Sequence, residues 1–249
     1  MKDGEDRRSG QPVSLASLRH ALSEERLAAY GVAGDGDALD PVARYAWNLA
    51  LSSALMPPLH VVEVTLRNNL FNASRKVVDE STLRFAEVEC WLDAEPTLLY
   101  EAEADAVRVA KDLVRRSRKP VTPGRLVSNL SFGFWVSLCR SPYEHGRARG
   151  PGLWPAAMKY AFPFLPKDHH KRSAILTRLD EIREFRNRVF HHEPIWNRDV
   201  ERSHRRLLEV VGWMNRGMAD ALRATSTVEE VYAGGPGGYR ELAERLVKP

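Results

Sequence analysis

The segment Glu184-Phe185-Arg186-Asn187-Arg188-Val189-Phe190-His191-His192-Glu193-Pro194-Ile195-Trp196 gathers guanidinium, amide and imidazole groups where one helical pattern ends at a proline. On a helix turning about 100° per residue, Asn187 and His191 lie ~40° apart and share a face, while Arg186 and His191 lie ~140° apart. Arg186 therefore meets His191 of its own chain only by wrapping its long side chain, or through a distorted last turn near Pro194. Across a symmetric helix pair, residues of two chains can converge on one cleft. An imidazole with a pKa near ~6.5 can take a proton from a ribose 2′-OH or give one to a leaving 5′-oxygen. A guanidinium offers a fixed fork of donors to a phosphate whose charge grows in the transition state. The nucleophile would belong to RNA itself, so this chemistry requires neither a metal nor a protein nucleophile, and DNA would be inert. The plain structural reading of the same residues is a helix C-terminus at which cations favour the dipole and cap free carbonyls.

Other polar groups divide between chemistry and ordinary surface. Glu63 and Arg67 stand one helical turn apart. They form either a local ion pair or, with Asn68, a polar shell beside the Arg186 helix, in which Arg188 and His192 are further members. His169-His170 and His191-His192-Glu193 lack the one-turn spacing of paired metal ligands, because consecutive helical residues point ~100° apart, so no metal site and no cofactor are expected. Arg115, Arg116 and Arg118 close a helix as a basic run, read either as a solvated face or as a patch that tracks RNA. Gly234 to Gly238 lacks the Lys-Ser/Thr of a phosphate loop and reads as a linker.

Helices must position these groups. Leu15, Leu18, Leu22 and Leu27 predict a helix over residues 14–30, stopped by Gly31 and Gly34-Asp35-Gly36. Asp40-Pro41 opens another through Leu55. Pro57-Pro58 is expected to break it, with a separate helix from Leu59 to about Val78. Glu95-Pro96 precedes a charged helix to Arg118, and Thr122-Pro123 opens one through Leu138. Residues 141–166, rich in Pro, Gly and aromatics, read as a connection containing a short helix. Asp168 to His192 carries an apolar stripe of Ile175, Leu179, Ile182 and Phe185, and a last long helix runs from Asp199 to Arg223 with Leu207, Leu208, Val211, Met214 and Met218 as its buried face. Two short helices, over 227–231 and 239–247, flank the Gly-rich stretch. No period-2 run and no repeat is found, so the fold class is all-α, a bundle of antiparallel helices with additional flanking helices. Residues 1–12 read as a flexible tail, 13–224 as one domain and 225–249 as a C-terminal extension with the Gly-rich linker and a short helix.

Composition narrows the class. Of 249 residues, 43% are hydrophobic and 28% charged, enough apolar material for a sizeable core and unlike collagenous or disordered chains. Lys and Arg number 37 against 33 acidic residues, a net +4 that leans only slightly towards polyanions. Cys90 and Cys139 fit neither a disulfide framework nor a zinc ribbon. The charged N-terminus has no apolar stretch behind it, and no uninterrupted apolar run nears the ~18–20 residues of a membrane span. A cytoplasmic protein without membrane contact is the expectation.

Arg186-Asn187-Arg188-Val189-Phe190-His191 matches the Arg–polar–x3–His signature of HEPN ribonucleases, and its extension to Trp196 resembles their Abi-like (abortive infection) branch. Arg44-Tyr45-Ala46-Trp47-Asn48, Glu63-Val64-Thr65-Leu66-Arg67-Asn68-Asn69, residues 124–135 and His204 to Met214 resemble the same branch. The resemblance spans about Asp40 to Ala219. It implies a HEPN-like bundle, a homodimer through the motif helices, and one composite site from two Arg–His pairs. It also implies a metal-independent endoribonuclease that leaves 2′,3′-cyclic phosphates, a toxin of antiviral, toxin–antitoxin type silenced by a protein or small-RNA antitoxin. On this sequence it places Arg186 on the scissile phosphate, His191 as general base or acid, and Asn187 as the group orienting one of them. His192 also satisfies the superfamily spacing; His191, on the face shared with Asn187, is preferred.

Overall fold

The computed structural model describes residues 14–32, 36–81, 90–93, 99–144 and 152–247; the expected tail and the Glu95-Pro96 helix start lie outside them. Among the described residues there is no strand, only an isolated bridge between Glu144 and Trp154, and the chain is all-α. The helices are α1 (Leu15–Leu22), α2 (Glu24–Ala28), α3 (Leu39–Ser81), α4 (Glu101–Arg116), α5 (Pro123–Asn129) and α6 (Phe132–Ser137). They continue with α7 (Met158–Ala161), α8 (Arg172–Phe190), α9 (Val200–Met214), α10 (Arg216–Thr225), α11 (Val228–Gly234) and α12 (Gly237–Val247).

The main departure from expectation is α3, which runs through Pro57 and Pro58 without ending. Leu51, Leu55, Leu59, Val62, Leu66, Leu70, Ala73 and Val77 are all buried and follow one another at steps of three or four residues. Burying each large side chain stabilises by about 1.5–3 kcal/mol, so the eight-residue stripe outweighs a penalty of about 3 kcal/mol for each of the two prolines. The carbonyl of Ser53, which loses its partner at Pro57, belongs to an exposed residue that water can reach. Being unbroken, α3 is also long and apolar enough to cross a bilayer, with a window of mean hydropathy 1.4. That stretch is not an uninterrupted apolar run, since Pro57, Pro58, His60 and Glu63 fall within it.

Elsewhere small polar residues divide helices that apolar periodicity had joined. Ser23, at φ 64°, accepts from the Arg26 N–H and separates α1 from α2. Ser131 accepts from the Phe134 N–H at 3.2 Å and starts α6 afresh. Asn215 does the same for Met218 at 2.9 Å, so the expected helix to Arg223 is α9 followed by α10, and Met218 is 42% exposed rather than core. The Gly-rich stretch is not a long linker, since α11 and α12 leave only Gly235 and Pro236 between them.

The described residues group into two compact units, one drawn from within 1–55, 188–201 and 227–249, the other from within 56–187 and 202–226. In the second, α4 packs with α5 and α6, and the expected stripe of Ile175, Leu179, Ile182 and Phe185 on α8 is buried. Arg178 on α8 reaches Glu209 on α9 at 3.1 Å, and Arg206 reaches Glu181 at 2.7 Å. In the first unit, Trp47 donates through Nε1 to the Val231 carbonyl at 2.8 Å and stacks on Tyr232. Arg240 of α12 pairs with Asp37 at 2.9 Å and with Asp40, and its guanidinium holds the Asp37 carboxyl below the usual carboxylate range.

A buried polar anchor in this unit is Asn48, only 3% exposed, whose Oδ1 accepts from the N–H groups of Ile195 at 2.7 Å and Trp196 at 3.1 Å. Asn48→Ala would strip the acceptor from both N–H groups, at about 1–3 kcal/mol for each one left buried and unpaired. Chemical denaturation of Asn48→Ala is expected to show a loss of roughly 2–4 kcal/mol, larger than the effect of a surface substitution.

Candidate functional site

The stripe on α8 sets where the motif's polar groups stand. Arg186 and Asn187 follow the last buried residue of that stripe, Phe185, and so flank the core. Glu63 follows the buried Val62 on α3 in the same way. The three meet in the second unit: Arg186 Nη2 donates to Glu63 Oε2 at 3.4 Å, and Arg186 Nη1 donates to Asn187 Oδ1 at 3.4 Å. The side chains of Arg186 and Glu63 are 25% and 26% exposed, so the guanidinium is partly desolvated but still touches solvent.

Glu63 thus serves Arg186 on another helix rather than its own neighbour. Among the described residues it makes no ion pair with Arg67, which corrects the one-turn pairing offered by sequence spacing. Arg67, one turn further along α3, is half-buried, and its Nε lies buried without a hydrogen-bond acceptor. Asn68 is exposed and makes no hydrogen bond among the described residues, so it is not brought into the cluster.

The other part of the motif belongs to the first unit and forms a helix cap. His191 is the C-cap of α8 and His192 the residue beyond it, with φ 58° in the left-handed region. The His192 N–H donates to the Val189 carbonyl at 3.1 Å, and the Glu193 N–H to the Arg188 carbonyl at 2.9 Å. These two bonds make a Schellman motif, which satisfies carbonyls left over at the helix end. Arg188 then closes the turn through its side chain, 2.8 Å from Glu193. Arg26 donates to the His192 carbonyl, and Arg44 donates to the Tyr30 carbonyl at 2.8 Å while lying 5.5 Å from the Trp196 ring. The loop after the motif is therefore held by Asn48, Arg26 and Arg44. Asn48 and Arg44 belong to a block that sequence reading noted only as a resemblance, and spacing gave no hint of their partners.

Both histidines are exposed, and the His191 imidazole makes no hydrogen bond among the described residues. His191 is thus available to solvent and ligand, whereas the backbone of His192 has a defined structural task. Arg188 serves the cap rather than the Arg186 cluster. Arg115, Arg116 and Arg118 are all exposed; Arg115 pairs with Asp112 at 3.3 Å, and Arg118, at φ 56°, caps α4 as His192 caps α8. Among the described residues no cluster of three His, Cys, Asp or Glu side chains is arranged to hold a metal. Compared with models of known families, with curated proteins and with solved structures, the chain gives no match.

Two substitutions separate structural from chemical roles here. A non-glycine residue in the left-handed region costs about 1–2 kcal/mol, while glycine adds about 0.5–1 kcal/mol of unfolded-state entropy. His192→Gly is expected to raise unfolding free energy slightly, by up to about 1 kcal/mol, in a denaturant titration; marked destabilisation would mean that the imidazole itself supports the fold. Glu63→Gln should change stability by less than about 1.5 kcal/mol, because glutamine keeps an oxygen acceptor for Arg186 at the same place. In the same titration Ile182→Ala should cost about 2–5 kcal/mol. A Glu63→Gln loss as large as that of Ile182→Ala would make the ion pair a structural element first.

Proposed function

We propose that the protein is a metal-independent endoribonuclease of HEPN type, resembling the Abi-like branch, that cleaves RNA by attack of its own 2′-OH. The observation that carries this reading is the grouping of Glu63, Arg186 and Asn187, with Arg67 one turn along α3. A part-buried guanidinium held by a carboxylate keeps its orientation before any ligand arrives, which suits a group that must meet charge developing on phosphate. Arg67, half-buried one turn along α3, adds a second guanidinium charge for an anionic substrate.

In the proposed reaction Arg186 binds the scissile phosphate, and Asn187, hydrogen-bonded to Arg186, fixes the fork. His191 takes the 2′-OH proton as the 2′-oxygen attacks phosphorus. The 5′-oxygen leaves with a proton from the same histidine or from its counterpart, and the product ends in a 2′,3′-cyclic phosphate. The site is composite, with the motif helices of two copies supplying two Arg–His pairs in a homodimer. Arg115, Arg116 and Arg118 give the RNA a surface to follow. The protein would act in the cytoplasm as an antiviral toxin restrained by a protein or small-RNA antitoxin. The second reading is a module that binds RNA or an antitoxin without cutting; the engagement of Arg186 by Glu63 favours it to the extent that the carboxylate competes with phosphate.

The two readings separate in one assay. Purified protein incubated with total RNA and with matched DNA, chelator present throughout, is expected to cut RNA alone and leave cyclic-phosphate ends. His191→Ala should reduce cleavage by at least about a hundredfold with helicity and RNA affinity retained. Cleavage that vanishes with chelator and returns with a divalent cation would end the metal-independent mechanism. Binding without cleavage by either protein would select the module.

A further inference from the structure

Away from Arg186, the second unit carries a two-lobed groove between the segment containing α7 and the start of α8. One lobe, of about 460 Å³, is walled chiefly by Pro155, Met158, Phe162 and Pro163. The other, of about 290 Å³, is bounded by Glu144, Trp154, Lys171 and Arg172, and the lobes share Pro155, Met158 and His170. Arg172 is matched with Glu144 at 2.5 Å and also donates to the Cys139 carbonyl at 2.7 Å. Lys159, Lys171 and Arg172 line the groove against the one carboxylate of Glu144, so basic side chains outnumber acidic ones in its lining. His170 Nε2 donates to the Leu165 carbonyl at 2.9 Å, which makes Nδ1 of the neutral ring an acceptor.

We propose that this groove binds one nucleotide, its base in the apolar lobe and its phosphates at Lys159 and Lys171. The lobe falls within the ~300–1,000 Å³ of small-ligand sites. An apolar slot beside an excess of ammonium groups complements a flat heterocycle joined to an anion. An extended peptide fits the wall less well. Pro155 and Pro163 have no N–H, and the N–H groups of Ala157, Met158, Ala161 and Phe162 are spent on carbonyls of their own segment. Next to the groove, Lys76 and Lys159 lie 4.7 Å and 4.5 Å from the Tyr160 ring. That cationic–aromatic surface suits the next nucleotide of a strand. The inference rests on the ribonuclease reading for its source, an RNA strand held beside the cutting site, although the same chemistry admits a free nucleotide.

The test uses the full chain and a fluorescent 2′-O-methyl RNA ten-mer, which lacks the attacking hydroxyl, together with AMP and UMP. Lys159→Gln/Lys171→Gln is expected to weaken ten-mer binding about tenfold and to flatten its salt dependence by about 1.4 logarithmic units per decade, at about 0.7 per lost contact. Ala156→Trp, at an exposed position on the lobe, should weaken binding without altering that slope. Circular dichroism checks that both variants are folded. Mononucleotides bound by the parent protein and lost in Ala156→Trp would mark a free-nucleotide site; a ten-mer bound alone would mark a strand site, and either outcome supports the groove. Binding of both ligands within twofold of the parent in both variants overturns it. So does a poly-glutamate peptide that shows both sensitivities when the ten-mer shows neither. Cleavage of unmodified RNA is scored in parallel: intact cleavage with unchanged ten-mer binding in the groove variants sinks the groove alone. Absent cleavage with variant-sensitive binding sinks the ribonuclease alone.

Discussion

The polar contacts that α3 makes around the motif hang on an apolar constraint, the unbroken stripe of buried side chains along that helix. Eight positions in that stripe keep their helical phase across two consecutive prolines, because losing the phase would expose more apolar surface than the prolines cost in hydrogen bonds. Since α3 stays one helix, it can carry two sets of polar residues with separate duties. Arg44 and Asn48 hold the loop after the motif in the first unit, while Glu63 engages Arg186 in the second. Glu63 stands beside the stripe and is partly desolvated, and Asn48 is buried outright, which makes the partner of each matter.

How much of this could be read from the sequence depended on whether the physics was local. The α8 stripe was legible because burial of one helix face imposes a period that no neighbour need supply. The all-α class was legible for the same reason. Helix boundaries were less so. Ser23, Ser131 and Asn215 are ordinary polar residues until their side chains turn back onto an N–H three residues ahead, and within a periodic apolar run they look like surface positions. The prolines of α3 misled in the opposite direction, since a local rule was overruled by burial along the whole helix.

The site shows the same division. Arg186, Asn187 and His191 stood out by residue type and spacing, and Glu63 was noticed through its neighbour. Its actual partner lies more than a hundred residues away in sequence, a pairing that spacing within one helix cannot supply. Nor could spacing separate the two histidines. Their difference lies in the backbone: one ends the helix, and the next takes the left-handed conformation that a Schellman cap requires.

The order of segments along the chain bears on when the molecule can be finished. The first unit is assembled from three segments far apart in sequence, so Trp47 waits for Val231, and Asp37 for Arg240. During synthesis from the N-terminus, the second unit has all its residues by Ser226, whereas the first lacks α11 and α12 until they leave the ribosome. The cap that presents His191 belongs to that late-closing unit. Until α11 and α12 have been made, the motif therefore sits in an unfinished setting, and those two helices complete it.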